Sequence, residues 1–159
     1  MIQPQFFINQ VRAVGPSRLA LRFADGHEAD VELAEVIARH PTLARLADPD
    51  VFAQVQPDEW SRGVLFAGDD ALALASDNLR ALAVEQDGGF SHQQLVAWMA
   101  HHRMTLDAAA EALDISRRML AYYRSGQKPI PRSVGLAMLG WDIYAVRGSE
   151  NAFHYGRAA

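Results

Sequence analysis

Apolar and polar positions alternate along the first third of the chain. Leu19, Leu21 and Phe23 interleave with Ala20, Arg22 and Ala24; Ala29, Val31 and Leu33 interleave with Glu28, Asp30 and Glu32. A period of two puts the two sets on opposite faces of a strand. Between the runs lies Asp25-Gly26, a short-range hairpin signal because glycine tolerates positive φ. The β-prone run Phe6 to Val14, broken by Pro16-Ser17, supplies a further strand. Two or three antiparallel strands therefore open the protein.

The pattern then shortens. Leu33 to Arg39, Pro41 to Leu46 and Asp48 to Ala53 read as short helices, with Pro41 and Pro49 at starts where a missing N–H costs nothing. Val55 and Val64-Leu65-Phe66 read as strands around a loop holding Trp60. Asp69-Asp70 is a turn before a strand or helix. Ala71 to Val84 is apolar, and a helix is expected over Asn78 to Gln86, ending at a hinge, Asp87-Gly88-Gly89.

From Ser91 on, the period is that of helices. Ser91 and Gln94 form a capping box, with Phe90 and Leu95 as a hydrophobic staple, and the helix continues through Trp98, Met99 and His102. Thr105 caps a second helix whose inner side carries Ala108, Ala109, Ala110 and Leu113. Asp114 makes a turn. Ser116 caps a third helix, stapled by Ile115 and Leu120 and stopped at Gly126, where a left-handed residue is wanted. Pro129-Ile130-Pro131 enforces extended backbone, and Pro131 suits the first turn of a fourth helix. Val134, Ala137, Met138 and Trp141 mark that helix's buried stripe.

Charge divides along the same line. The 159 residues carry a net charge of −4, but residues 1–89 carry −7, from seven arginines and fourteen acids, and residues 90–159 carry +3, from eight basic residues and five acids. Such asymmetry points to two units with different partners, the basic one facing a polyanion. The chain has no cysteine, which excludes disulfides, thiolate chemistry and cysteine-bound metal. No apolar run reaches the roughly 18 residues of a membrane span, and Met1 to Gln5 lack a signal-peptide pattern. A cytoplasmic protein without membrane contact is expected.

Chemistry concentrates in Thr105 to Gly126, TLDAAAEALDISRRMLAYYRSG. Small residues, Ala109 and Ala110, permit close approach of two short helices, and Leu113, Ile115, Leu120 and Tyr123 fill the wedge between them. That is the packing requirement of a helix-turn-helix. Arg118, Ala121, Tyr122 and Ser125 fall at i, i+3, i+4 and i+7, an outward stripe flanked by Arg117. Between Ser116 and Arg132 stand five basic residues, Arg117, Arg118, Arg124, Lys128 and Arg132, and no acid. A guanidinium can donate twice to guanine O6 and N7, so Arg117 or Arg118 is the expected base reader. Tyr122 and Ser125 are placed for bases, thymine methyls or phosphates. Arg124, Lys128 and Arg132 fit phosphates, with Ser91, Gln93 and Thr105 adding contacts from helix ends.

With its continuation through Lys128-Pro129-Ile130-Pro131-Arg132, this segment resembles the Cro and repressor type of helix-turn-helix family over about residues 91–146. Leu106 stands where the family often has a phosphate-binding Gln, and Asp114 where it prefers Gly. The first half resembles, over about residues 6–85, a small bacterial α+β domain of unknown function that occurs alone or ahead of such a helix-turn-helix. Phe23-Ala24-Asp25-Gly26, Leu46-Ala47-Asp48-Pro49-Asp50-Val51-Phe52 and Trp60 carry the likeness. It implies a fold and a regulatory setting, sometimes beside toxin–antitoxin-like genes, and no chemistry.

Other candidates weigh less. His27, Glu28, Asp30 and Glu32 resemble a metal site, but alternation turns His27 away from the three carboxylates, and a solvated strand face accounts for them. His101 and His102 are adjacent, not at i, i+4, and end a helix favourably; His40 ends another. Gly88-Gly89 is too isolated to cradle a phosphate, and no nucleotide-binding or nucleophile motif occurs. Trp60, Trp98 and Trp141 read as core. No catalytic, cofactor or metal site is expected.

The resulting expectation is an α+β protein. Residues 1–87 form an acidic antiparallel-sheet domain, residues 90–146 an all-α, lambda-repressor-like helix-turn-helix domain, and residues 147–159 a tail. The expected role is a homodimeric, sequence-specific regulator of transcription, a repressor, bound to double-stranded DNA. The rivals are an interaction module, such as an antitoxin-like protein whose acidic domain binds a protein partner, and an effector-sensing repressor.

Overall fold

A computed structural model describes residues 3–148; of the tail expected over residues 147–159, Arg147 instead ends the last helix and Gly148 follows it, and residues 149–159 lie outside the described residues. The chain divides between Ser91 and His92 into two compact units. The architecture is α+β, with two three-stranded antiparallel sheets in the first unit.

In the first unit, β1 (Ile8–Ala13), β2 (Arg18–Phe23) and β3 (Glu28–Glu32) form one sheet in that order. The alternation read from the sequence holds: Leu19, Leu21, Phe23, Val31 and Leu33 are buried, while Glu28 and Asp30 are exposed. The β2–β3 turn closes through Phe23 N–H donating to His27 O at 2.9 Å, with Gly26 at φ +89°. A side chain at that φ would be strained, which is why glycine stands there.

Helix α1 (Ala34–Arg39), a 3₁₀ segment (Pro41–Ala47) and α2 (Pro49–Phe52) follow. Both prolines open their elements, and Asp48 caps α2 by accepting the Asp50 amide at 2.9 Å. The second sheet is β4 (Val55–Pro57), β5 (Gly63–Phe66) and β6 (Asp69–Ala75), leading into α3 (Ser76–Gln86). The apolar run after Asp69-Asp70 is thus strand to Ala75 and helix afterwards. The turn lies earlier than expected, at Ala67 and Gly68, both at positive φ. Phe52, Phe66, Leu72 and Leu79 join the residues of β2 and β3 in one core.

Trp60 departs from expectation: it is 73% exposed. It sits at the tip of the β4–β5 hairpin, where Asp58 Oδ1 accepts the amides of Trp60 (3.0 Å) and Arg62 (2.9 Å) and leaves no core within reach.

The second unit is helical: α4 (His92–His101), α5 (Leu106–Ala112), α6 (Arg117–Arg124) and α7 (Arg132–Arg147). Its core is Leu95, Trp98, Met99, Ala109, Ala110, Leu113, Leu120, Tyr123, Val134 and Met138. Four details differ from the sequence reading. Ala108 and Ala137 are exposed, because the inward stripes run through 109, 110 and 113 and through 134, 135 and 138. Helix α4 stops at His101, so His102 lies just beyond it, and Pro131 is the residue before α7. Among the described residues no helix is long and apolar enough to cross a membrane.

Candidate nucleic-acid interface

Helix α6 is fixed from both ends. At its start Ser116 Oγ accepts the Met119 amide at 3.1 Å, leaving the exposed N-terminal turn with one fewer open donor. At its end the Lys128 amide donates to Tyr122 O at 3.2 Å around Gly126, whose φ of +72° only glycine takes without strain. Thr105 Oγ caps α5 in the same way, accepting from Ala108 N at 3.1 Å. The α5–α6 turn passes through Asp114 at φ +52°, a conformation that Asp tolerates better than most residues. Leu106 packs against the core of the unit.

The cap and turn geometry sets which side chains face out. Leu120 and Tyr123 are buried. Arg117, Arg118, Ala121, Arg124, Ser125, Lys128, Arg132 and Thr105 are exposed, and Tyr122 is half-buried. The residues singled out from the sequence therefore lie on accessible positions of the unit: on α6, in the stretch after it, at the start of α7 and at the N-cap of α5.

Their contacts differ. Arg117 Nη1 reaches back to α5, 3.1 and 3.2 Å from the two carboxylate oxygens of Asp107. Both partners are more than half exposed, so the pair is weak. Arg118 Nε donates to the Tyr122 hydroxyl at 3.0 Å, and Lys128 Nζ stands 4.7 Å from the centre of the Tyr122 ring on which both cations converge. Ser125 Oγ donates to Tyr122 O at 3.2 Å. Arg124 and Arg132 have no ion pair among the described residues. The surface is rich in N–H donors and positive charge and carries no carboxylate of its own between residues 116 and 132.

One cluster of the same unit escaped the sequence reading. Asp142 of α7 accepts Trp98 Nε1 at 3.0 Å, and His102 Nε2 stands 2.7 Å from the same oxygen. It ties α7 to α4, and the His101 ring meets the His102 ring edge to face, 4.9 Å between centres. Nothing local announces a partner 40 to 44 residues away.

In the first unit the acidic strand faces meet arginines. Glu28 pairs with Arg22 at 3.0 Å and Glu32 with Arg18 at 3.6 Å, both across the β2–β3 ladder. The Ser17 hydroxyl and the Ala34 amide also donate to Glu32, and the hydroxyl's bond above all holds that carboxyl below its ordinary value. Arg80 grips Asp25 with two bonds, 3.0 and 2.9 Å. Burial pushes the Asp25 carboxyl up, but Arg80 and the His27 amide outweigh it and the carboxyl ends low. Burial, then the Arg80 charge, lowers the neighbouring His27 imidazole.

Among solved structures, the chain is similar to the crystal structure of a "putative DNA binding protein" from Nitrosomonas europaea ATCC 19718. The TM-score is 0.79 and the identity 35%, over 96% of this chain and 95% of that one. No family model matches the chain, and no curated protein does. At that identity, over nearly the whole length of both, this chain belongs to the same protein family as the Nitrosomonas europaea protein.

Proposed function

We propose that the chain is a sequence-specific DNA-binding regulator of transcription, a repressor, in which α5, the turn at Asp114 and α6 form a helix-turn-helix of the Cro and repressor type. The observation that carries this reading is the outward face of α6 and its following loop. Together they hold four basic residues, with a fifth, Arg132, opening α7 and no acid among them, on a helix capped at one end and stopped at the other. A cationic face that rigid gains counterion-release affinity for the DNA backbone while losing little side-chain freedom. The description of its Nitrosomonas europaea relative agrees with it.

Within that reading the two N-terminal arginines separate. Arg117 is turned to Asp107, whereas Arg118 is held over Tyr122, on the outward stripe with Ala121 and Ser125. Arg118 is the base reader and Tyr122 the residue that positions it. Arg124, Lys128 and Arg132 meet phosphates. The Thr105 hydroxyl accepts the Ala108 amide, so its proton is left for a phosphate oxygen. An exposed apolar row on α7, Leu136, Leu139, Ile143 and Val146, supports a homodimer. Two copies would suit half-sites about 34 Å apart.

Selection of bound duplexes from a random pool tests the reading. The wild-type chain should enrich one motif. Arg118→Ala should relax a single base position, costing about 1–3 kcal/mol at the cognate site. A pool that stays random after repeated rounds would overturn the reading.

A further inference from the structure

The first unit carries an open strand edge. In the β1-β2-β3 sheet, β3 lies outermost. His27 O and Leu33 N point inward, bonded to Phe23 N and Ser17 O, so by alternation the N–H and C=O of Glu28, Asp30 and Glu32 point away from β2. At Glu32 both outward groups are taken by one side chain. Gln86 Oε1 accepts the Glu32 amide at 2.8 Å, and Gln86 Nε2 donates to Glu32 O at 2.8 Å. The carboxamide of Gln86 thus does for one residue what a neighbouring strand does along its length. At Glu28 and Asp30 no other described residue takes that place.

Beside these two residues runs a groove of about 360 Å³ between the β3 edge and the end of α3, lined by His27, Ala29, Ala83 and Asp87 among others. Ala29 and Ala83 keep it open, and Gln86 closes one end. Charge narrows what fits. Glu28 and Glu32 already face Arg22 and Arg18, but Asp30 is paired in register with Ala20, which separates it from Arg12 in the same row, and makes no ion pair among the described residues. A second copy of this chain is a poor occupant: antiparallel pairing of two β3 edges about Asp30 would set Asp30 against Asp30 and Glu28 against Glu32, and like charges opposite one another destabilise a sheet.

We propose that the Glu28–Asp30 edge and its groove dock a short extended segment of a basic partner protein, which adds as a fourth strand and sets a lysine or arginine opposite Asp30. Main-chain bonds to Glu28 and Asp30 give the affinity, and the carboxylate gives the preference for a cation. The site belongs to the first unit and α6 to the second, and the proposal does not depend on the DNA reading.

The test uses the full-length chain and an acetylated, amidated Thr-Lys-Thr-Lys-Thr-Lys peptide as probe, with amide exchange read residue by residue. Saturating peptide should slow exchange at Glu28 and Asp30 by ~10-fold or more, without slowing it on α6. The same peptide N-methylated at alternate residues keeps its charge but cannot complete a ladder, and should give no protection. Asp30→Asn should weaken the unmethylated peptide several-fold and leave the folded spectrum intact. Equal binding of the two peptides, protection elsewhere than β3, or no protection at millimolar peptide would each overturn the proposal. Arg118→Ala, which alters base preference on the α6 face, should leave every one of these results unchanged.

Discussion

The two units handle arginine in opposite ways. In the first, every arginine but Arg12 meets an internal partner among the described residues: Arg18, Arg22, Arg39, Arg45 and Arg80 pair with carboxylates, and Arg62 lies over the Phe7 ring. In the second, among the described residues, Arg117 alone of the cations of the α6 face pairs with an acid, and that acid sits on the preceding helix. The same side chain is cross-strand mortar in an acidic sheet and an unneutralised field on a helix. What separates the two is the company of acids, fourteen against seven arginines before residue 90 and none between Ser116 and Arg132. Charge left without internal partners is charge available to something else.

The comparison breaks first at the cores. Phe52→Ala should cost about 3–5 kcal/mol and Leu120→Ala about 2–5 kcal/mol, since both side chains are almost fully enclosed. Denaturant titration followed by amide exchange should place the first loss before residue 92 and the second after it. Equal loosening of both units by either substitution would contradict their separateness. A smaller effect is expected at the caps: Thr105→Ala or Ser116→Ala removes an amide acceptor and should lower stability of the second unit by about 1 kcal/mol. Either variant should also weaken duplex binding, because the cap sets the angle of the helix that follows it.

Salt sharpens the contrast between the two sets of arginines. Arg124→Ala, Lys128→Ala and Arg132→Ala should each flatten the slope of log affinity against log salt by about one unit. Arg18→Ala and Arg22→Ala should leave it unchanged, because those guanidinium groups face carboxylates. A change of slope on the sheet side would place the polyanion on the wrong unit.

The smallest expected effect is on pH dependence, and it belongs to the first unit. The folded state holds His27 below its ordinary value of 6.5, so the unfolded chain binds the proton first, and stability falls as the pH drops from 6.5 through the lowered folded value. Asp25 and Glu32, both held low, contribute stability that is present above their ordinary values of 3.8 and 4.5 and is lost as the pH falls through the folded ones. Denaturation midpoints at pH 7, 5.5 and 4 should therefore decline in two stages. His27→Gln should abolish the first stage and leave the second.

How much of this was legible in the residues depends on how far each signal reaches. The α6 face was readable because period, caps and glycine stop all lie within eleven residues, Ser116 to Gly126, and agree with one another. The β2–β3 hairpin was readable for the same reason. Ala108 and Ala137 give no reliable signal of burial, since alanine sits as easily on a wet face as on a dry one. Hydrophobicity alone assigns Trp60 to the core, yet a turn of five residues between two strands has no interior to offer it. The Asp142 and Arg80 contacts were invisible because their partners lie 40 to 55 residues away and only the packed fold brings them together. Gln86 shows the same limit: no rule of sequence says that a helix-end glutamine will stand in for a strand.

The central claim is that α6 and its flanking loop contact duplex DNA. Titrating the isotope-labelled full-length chain with a duplex recovered from the selection, and following backbone amide shifts, tests it most directly. The account expects the largest shifts at Thr105 and from Arg117 to Arg132, with β3 unmoved. Shifts gathered on the sheet, or a spectrum unchanged at saturating duplex, would contradict it.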